Sequence, residues 1–159
     1  MCFVLDTNSF HLLFNPKSSN HEDFKPLLKW LYNHDGTCLV IGGTRYRFEI
    51  RNMTKYLENL VELKRVRKLR EISDDVVDAE ETRLKGIVCC NDFDDAHIVA
   101  LFCASGCLIF ASQDRRADHF IKMKALYPKK HRPPRIYRNA SHVALLCEEN
   151  IANLTNVIH

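Results

Sequence analysis

The sequence lacks any apolar run approaching the roughly 18 residues of a membrane-spanning helix. It also lacks a basic leader and a small-residue cleavage site, since Asp6 interrupts the opening apolar run. No repeat, low-complexity tract or linker divides the 159 residues, and single domains commonly have about 100 to 200. We therefore expect a soluble, cytoplasmic protein that has no membrane partner and folds as one domain over residues 1–159.

Cysteine and histidine pairs at zinc-ligand spacing are missing as well. Cys103 and Cys107 stand four residues apart with no second pair to match them, so core packing explains them better. The cysteine count is odd, and most of the cysteines lie in apolar stretches, which predicts free thiols in a reducing compartment. The seven cysteines are Cys2, Cys38, Cys89, Cys90, Cys103, Cys107 and Cys147. Gly42 and Gly43 lack the spacing and the lysine of a phosphate-binding loop.

Charge is nearly balanced, with a net value of +3, and 46% of the residues are hydrophobic, which is typical of a globular domain. Basic residues form one cluster over 64–70 and a second over 122–138. Each cluster fits either a polyanion-binding surface or a solvated face. The candidate nucleic-acid contacts are Arg45, Arg47, Arg115, Lys122 and Lys124.

Short apolar runs alternate with helical patterns along the chain. Residues 2–5, 37–41 and 107–112 predict buried strands, and residues 68–72 and 135–138 predict two more. Helical patterns cover 7–14, 21–34, 44–60, 74–84, 93–105 and 114–127, and a helical tail follows residue 138. The helix over 93–105 is expected to be amphipathic and to end at a glycine. This alternation predicts a three-layer α/β/α fold with a parallel sheet.

Four acidic residues occupy positions where this fold could bring them together. Asp6 and Asp114 follow predicted strands directly, and in such sheets ligands bind at the carboxyl ends of the strands. Glu49 and Asp95 lie on helices that could turn toward the same rim. Clustered carboxylates repel one another unless they take up protons or bind cations. Hard oxygen donors favour Mg²⁺ or Mn²⁺.

Four segments resemble the motifs of the PIN domain, in the same order: VLDTN, the acid of RFEI, DDAHIVAL and ASQD. The resemblance extends to about Tyr137 and leaves residues 139–159 as a C-terminal extension beyond a core of 1–138. It implies a five-stranded parallel sheet in the order 3-2-1-4-5 and a metal-dependent nuclease, in particular a ribonuclease. The implied catalytic and metal-binding residues are Asp6, Glu49, Asp95 and Asp114, supported by Asn8 and Ser112.

The resemblance also implies possible partners. Many small members of the family are toxins of bacterial toxin–antitoxin pairs, so an antitoxin and a homodimer are both expected, together with one or two Mg²⁺ or Mn²⁺ ions and an RNA substrate. The third motif contains three acids close together, so its metal-binding residue could be Asp92, Asp94 or Asp95.

Other interpretations remain open at this stage. Each aspartate alone could cap a helix, and His97 is expected to be packed and hydrogen-bonded rather than catalytic. The domain could also bind RNA or a protein without cleaving anything. A phosphoryl-transfer enzyme with an aspartate nucleophile is less favoured, because Asn8 stands where that chemistry commonly has a second aspartate.

Overall fold

One parallel sheet organises the chain. The structure, a computed structural model, describes residues 2–88 and 92–147. Its strands lie in the order β3-β2-β1-β4-β5. In chain order they are β1 (Cys2–Leu5), β2 (Cys38–Gly42), β3 (Leu69–Ile72), β4 (Ile109–Ala111) and β5 (Arg135–Tyr137). The parallel sheet and its predicted strand order are confirmed.

Helices flank the sheet on both faces, which confirms the three-layer α/β/α architecture. They are α1 (Phe10–Phe14), α2 (His21–Asn33), α3 (Thr44–Arg51), α4 (Leu57–Arg65), α5 (Asp74–Ile87), α6 (Ala96–Ser105) and α7 (Asp118–Ile121). Short 3-10 segments cover Thr7–Ser9, Thr54–Tyr56, Lys124–Leu126 and Ala140–Leu145. Helix α1 packs on α2, and α5 packs on α6. Among the described helices, none is both long and apolar enough to cross a bilayer.

The core lies around the central strand β1, whose four residues are all buried. In the register of the sheet, Phe3 stands beside Leu39 of β2 and Ile109 of β4. Trp30 packs in the same core. Helix α6 is buried on almost every side, so the expectation of an amphipathic helix over 93–105 is wrong. Its sequence carries no Asp, Glu, Lys or Arg, and a helix that is apolar all round is a buried helix.

The long helix predicted over 44–60 is interrupted. Helix α3 ends at Arg51, a 3-10 turn follows, and α4 begins at Leu57. At the break, Met53 leaves the helical region with φ −99° and ψ 60°. The interruption brings Tyr56 against the rings of Phe10 and Phe14, with centroids 6.3 Å away in both cases. Tertiary packing outweighs local helix propensity here.

The helix predicted over 114–127 is also wrong for much of that range. Only Asp118–Ile121 is α-helical, followed by the 3-10 turn at Lys124–Leu126. The first residues form a side-chain-closed turn instead, in which Asp114 Oδ1 accepts the Arg116 N–H at 2.9 Å. Such local hydrogen bonds compete with helix formation. In the predicted helical tail, the described part is the 3-10 segment Ala140–Leu145, and residues 148–159 lie outside the described residues.

A disulfide joins Cys2 and Cys38, which are register partners on β1 and β2 with Cα atoms 4.7 Å apart. The expectation of free thiols is therefore wrong for these two cysteines, because the parallel register brings them side by side. Cys103 and Cys107 are buried free thiols, as predicted, and burial raises the pKa of each to about 12. Cys89 and Cys90 lie outside the described residues. The cytoplasmic location stays a prediction.

We expect thiol labelling to separate these groups. With iodoacetamide at neutral pH, the peptides carrying Cys103 and Cys107 should stay unlabelled in the native protein, because a buried thiol of high pKa supplies almost no thiolate. Both should label after denaturation, whereas Cys2 and Cys38 should need reduction as well. Peptide mass mapping measures each site. Labelling of Cys2 in the denatured, unreduced protein would contradict the disulfide.

Gly43 makes the turn from β2 into α3 and should tolerate no side chain. Its φ is +85°, and an added Cβ would lie 2.6 Å from Val77 Cγ1. We expect Gly43→Ala to lower the free energy of unfolding by about 1–3 kcal/mol, the cost of a strained backbone position. The matched control is Gly86→Ala, where nothing lies within 4 Å. That change should stabilise α5 by up to about 1 kcal/mol. Urea denaturation compares the two, and equal effects would contradict the explanation.

Candidate functional site

Asp6 begins the site at the carboxyl end of β1. Its backbone N–H donates to the carbonyl of Ala111 at 2.9 Å, which extends the pairing with β4 by one residue. Its Oδ1 accepts the N–H of Asn8 at 3.0 Å, and its Oδ2 accepts the hydroxyl of Ser112 at 2.6 Å. Only 9% of Asp6 is exposed. The side chain therefore caps the following 3-10 turn and at the same time joins two strand ends.

Glu49 reaches the same rim from α3, the helix that follows β2. Its Oε2 accepts the hydroxyl of Thr7 at 2.8 Å. Its Oε1 lies 3.3 Å from His97 Nε2 and 3.7 Å from Arg45 Nε. A residue in mid-helix has no capping role. The contacts with Thr7 and His97 are tertiary, whereas Arg45 is an i,i+4 neighbour on the same helix.

Asp95 stands at the N-cap position of α6 without making a side-chain capping hydrogen bond. Asp95 instead lines the same cavity as Asp6 and Glu49. Asp92 and Asp94 are exposed and line neither of the cavities described below. Of the three acids that the sequence left open, the geometry therefore brings Asp95 to the other candidates.

Asp114 follows β4 in a loop held by three hydrogen-bonding groups. Its N–H donates to Ser112 Oγ at 3.0 Å, and its carboxylate accepts from Arg116 Nε at 2.9 and 3.1 Å. Arg138 donates to the carbonyls of Ser112 and Asp114 at 3.3 and 3.1 Å and also binds Asp118. The Arg138 side chain is only 14% exposed. Sequence analysis placed this arginine in a basic cluster, but its contacts anchor the Asp114 loop.

Two adjoining cavities collect the four acids. The larger, of about 320 Å³, is lined by Asp6, Glu49 and Asp95 together with Thr7, Asn8, Asn52, Met53, His97 and Ile98. The smaller, of about 40 Å³, is lined by Asp6, Asp95 and Asp114 together with Asn8, Ile98, Phe110, Arg116 and Ala117. Asp6, Asn8, Asp95 and Ile98 contribute to both. The predicted convergence of acids from four separate segments thus occurs at one rim of the sheet.

Electrostatics divides the acids into two pairs. Burial raises the pKa of Asp6 and of Asp95, and neighbouring carboxylates raise both further. At Asp6 these effects outweigh the hydrogen bonds from Ser112 and Asn8. At Asp95 they outweigh the nearby His97 and Arg45. Burial would also raise the pKa of Glu49, but His97, Thr7 and Arg45 outweigh it and the pKa falls. Arg116 lowers the pKa of Asp114. The charges of Asp6 and Asp95, the inner pair, thus lack a full cationic partner, whereas protein groups neutralise Glu49 and Asp114, the outer pair.

The donor chemistry of the rim fits a hard divalent cation, since carboxylate oxygens are the ligands such ions prefer. The arrangement is not a ready-made cage. Among the described residues, no three His, Cys, Asp or Glu side chains form a group that could hold a metal ion. Arg116 compensates the charge of Asp114, and His97 and Arg45 compensate that of Glu49, so the acids whose charge is least compensated are Asp6 and Asp95.

Several contacts of the site were missed or undervalued by sequence analysis. The motifs do not predict the contact of Thr7 with Glu49, nor the ion pair that Arg116 forms with Asp114 two residues earlier. His97 is 3% exposed at its side chain and lines the larger cavity. The prediction that His97 is packed is confirmed. Its predicted hydrogen bonding is confined to the contact of Nε2 with Glu49 Oε1 at 3.3 Å, because Nδ1 has no partner among the described residues.

The five candidate nucleic-acid contacts lie in different surroundings. Arg45 is next to Glu49, but Arg47 forms an ion pair with Asp74 at 2.6 Å on the outer side of α3. Lys122 lies 3.3 Å from Asp118, beside a surface hollow formed with His119 and Met123. Arg115 and Lys124 are exposed. Of these five, Arg45 contacts one of the four acids through its side chain, and Arg115 contacts Asp114 through its backbone.

Comparison with known proteins gives no relative to set beside this site: no family model matches the sequence, and no curated protein or solved structure shows significant similarity to it.

The buried charge of Asp6 should cost the fold stability. Because the pKa of Asp6 is raised, its ionised form favours the unfolded state, and the penalty is complete above the folded pKa. We expect Asp6→Asn to stabilise the metal-free protein at neutral pH by roughly 0.5–2 kcal/mol, as substitutions of functional groups often do. As the pH falls through the folded pKa and below the unfolded one, this advantage should disappear.

Urea denaturation at neutral and acidic pH, with a chelator present, measures the effect. Asp35→Asn is the control, because Asp35 is exposed and has no described role in the site. A destabilised Asp6→Asn protein at neutral pH would mean that the hydrogen bonds of the carboxylate outweigh the cost of its charge.

Proposed function

We propose that this protein is a divalent-metal-dependent nuclease, acting on RNA, of the PIN-domain type. One observation carries the proposal: carboxylates from four separate segments meet around two adjoining cavities at the carboxyl ends of parallel strands. Unrelated capping roles do not explain this convergence, because Glu49 lies in mid-helix and Asp95 makes no capping hydrogen bond. The choice of RNA follows from the motif resemblance.

The inner pair, Asp6 and Asp95, would hold Mg²⁺ or Mn²⁺, with Glu49 and Asp114 beside them. When bound, such an ion acidifies water and neutralises charge on a scissile phosphate. The chain's own polar groups orient the acids. Ser112 and the Asn8 backbone fix both oxygens of Asp6, and Thr7 fixes one oxygen of Glu49. Support of this kind is commonly worth ten- to a hundredfold in metal affinity or activity.

His97 and Arg45 would act through Glu49. Both lie within ion-pair distance of the same carboxylate, at 3.3 and 3.7 Å. By keeping Glu49 ionised they keep it able to accept hydrogen bonds from water or to approach a cation. This gives His97 a positioning role at the cavity, in place of the plain packing role expected from the sequence.

A second candidate function is a binding module that does not cleave. The observation that favours it is that the described residues include no group of three side chains ready to hold a metal ion. In that case Asp114 would stay bound to Arg116, and the basic surface would carry the affinity for RNA or for a protein. A metal-binding measurement on the wild-type protein separates the two functions.

The partners expected from the resemblance belong to the same proposal. They are an antitoxin-like protein that would block the acidic rim and a second copy of the chain as a homodimer. The cytoplasmic location and one or two Mg²⁺ or Mn²⁺ ions are part of it as well. Co-purification of a small partner encoded beside this gene would support the toxin assignment.

Cleavage should depend on the rim acids and not on neighbouring charge. We expect Asp95→Asn to lower the RNA cleavage rate in Mg²⁺ or Mn²⁺ by at least about 100-fold, the scale for loss of one electrostatic group in an active site. Asp94→Asn, the same change one residue away on an exposed side chain, should cost less than about threefold, as surface substitutions usually do.

Asp6→Asn and Asp114→Asn should lower the cleavage rate to a similar extent as Asp95→Asn. Cleavage of a labelled single-stranded RNA, with a chelator as the blank, measures all four variants. Equal rates for wild type and Asp95→Asn would contradict the proposal and favour the non-cleaving module.

A further inference from the structure

Arg116 is a cation at the edge of the acidic rim that the function described above does not use. Its guanidinium donates hydrogen bonds to the Asp114 carboxylate, from Nε to Oδ2 at 2.9 Å and to Oδ1 at 3.1 Å, and from Nη2 to Oδ2 at 2.5 Å. It lines the smaller cavity together with Asp6, Asp95 and Asp114. Among the described residues that line this cavity, Arg116 alone is positively charged. It therefore occupies the electrostatic position that a bound cation would otherwise fill.

The Arg116 side chain is poorly fixed by packing. It is 84% exposed, so water surrounds the guanidinium on most sides. Ion pairs at such exposed positions favour the paired state by a factor of only about 1.5 to 5. The pair with Asp114 therefore compensates charge but is easily opened. Asp95 and Asp6 add a weaker attraction to the guanidinium, after that of Asp114.

A guanidinium released from a carboxylate at this position has a clear alternative partner. Arginine binds phosphate oxygens through the same two-pronged geometry that it uses for carboxylates. Arg116 lies at the open edge of the cavity whose acids would hold the ion, so a phosphate approaching that ion passes within reach of the side chain. A lysine or a buried arginine could not make this exchange as readily.

We propose that Arg116 exchanges partners during substrate binding: it neutralises Asp114 while the rim is free of metal, and it binds a phosphate of the polynucleotide once a divalent ion has taken its place. This inference rests on the proposed function and adds to it a specific phosphate-binding residue. Arg116 is thus a competitor of the metal ion and a ligand of the substrate.

The exchange predicts opposite effects of one substitution on two ligands. Arg116→Gln should bind Mn²⁺ about threefold to fivefold more tightly than wild type, because the competing cation is gone. The same variant should bind a short phosphorothioate-linked single-stranded RNA, which resists hydrolysis, about tenfold more weakly in saturating Mn²⁺. The Mn²⁺ and RNA affinities of Arg116→Lys should lie between those of wild type and Arg116→Gln, because lysine keeps the charge but loses the two-pronged guanidinium geometry.

Arg115→Gln is the matched control. It removes the same charge one residue away, from an exposed side chain that has no described ion pair with the rim acids. Its Mn²⁺ affinity should change less than twofold. Electron paramagnetic resonance measures free Mn²⁺ directly, and fluorescence anisotropy measures RNA binding. Higher salt should shrink the difference in Mn²⁺ affinity between Arg116→Gln and wild type, because salt screens an exposed ion pair.

The outcomes separate the inference from the proposed function. Tighter Mn²⁺ binding in Arg116→Gln but not in Arg115→Gln, together with weaker RNA binding in Arg116→Gln than in wild type, supports the exchange. Unchanged Mn²⁺ affinity in Arg116→Gln overturns the inference while the metal site stands. Tighter Mn²⁺ binding with unchanged RNA binding overturns the phosphate step. Failure of the wild-type protein to bind Mn²⁺ at all would overturn both the inference and the metal-dependent function.

Discussion

The hydrogen bond from Ser112 to Asp6 is the interaction on which the acidic rim depends. It spans the ends of β1 and β4, the two neighbouring strands at the centre of the sheet, and it involves a serine that is fully buried. Without it, Asp6 would be a buried carboxylate facing other acids with only the Asn8 amide as a partner. The same hydroxyl accepts the N–H of Asp114, so one serine positions two of the four acids.

Charge compensation explains why so dense a group of acids can exist in a folded chain. The outer acids, Glu49 and Asp114, are compensated by protein groups, and the inner acids, Asp6 and Asp95, are not. An entirely compensated cluster would have no reason to bind a cation, and an entirely uncompensated one would oppose folding. The division leaves a deficit of positive charge at the residues shared by both cavities.

The sequence was sufficient for three strands, because the apolar runs of β1, β2 and β4 are too short for buried helices, whereas the strand order followed from the motif resemblance. It was also sufficient for the meeting of Asp6 and Asp114, which follows from parallel strands ending at one edge. The sequence was insufficient where tertiary contacts decide the structure, at the break after α3 that places Tyr56 against Phe10 and at the Cys2–Cys38 pairing. It was also insufficient at Asp114, where a local side-chain hydrogen bond replaces the first turn of the predicted helix. The partners of the acids, Thr7, His97 and Arg116, could not be predicted because side-chain reach across a loop leaves no periodic signal.

The position of the disulfide has a mechanical consequence. The bond joins the first residues of β1 and β2, whereas the acids lie beyond the last ones. A force pulling on the N-terminus would pass through the covalent bond into β2 instead of peeling β1 from its neighbours one hydrogen bond at a time. Closing a loop between cysteines 36 residues apart also removes disorder from the unfolded chain, worth on the order of 4 kcal/mol. The chain is thus fastened at the end of the sheet that carries none of the four acids.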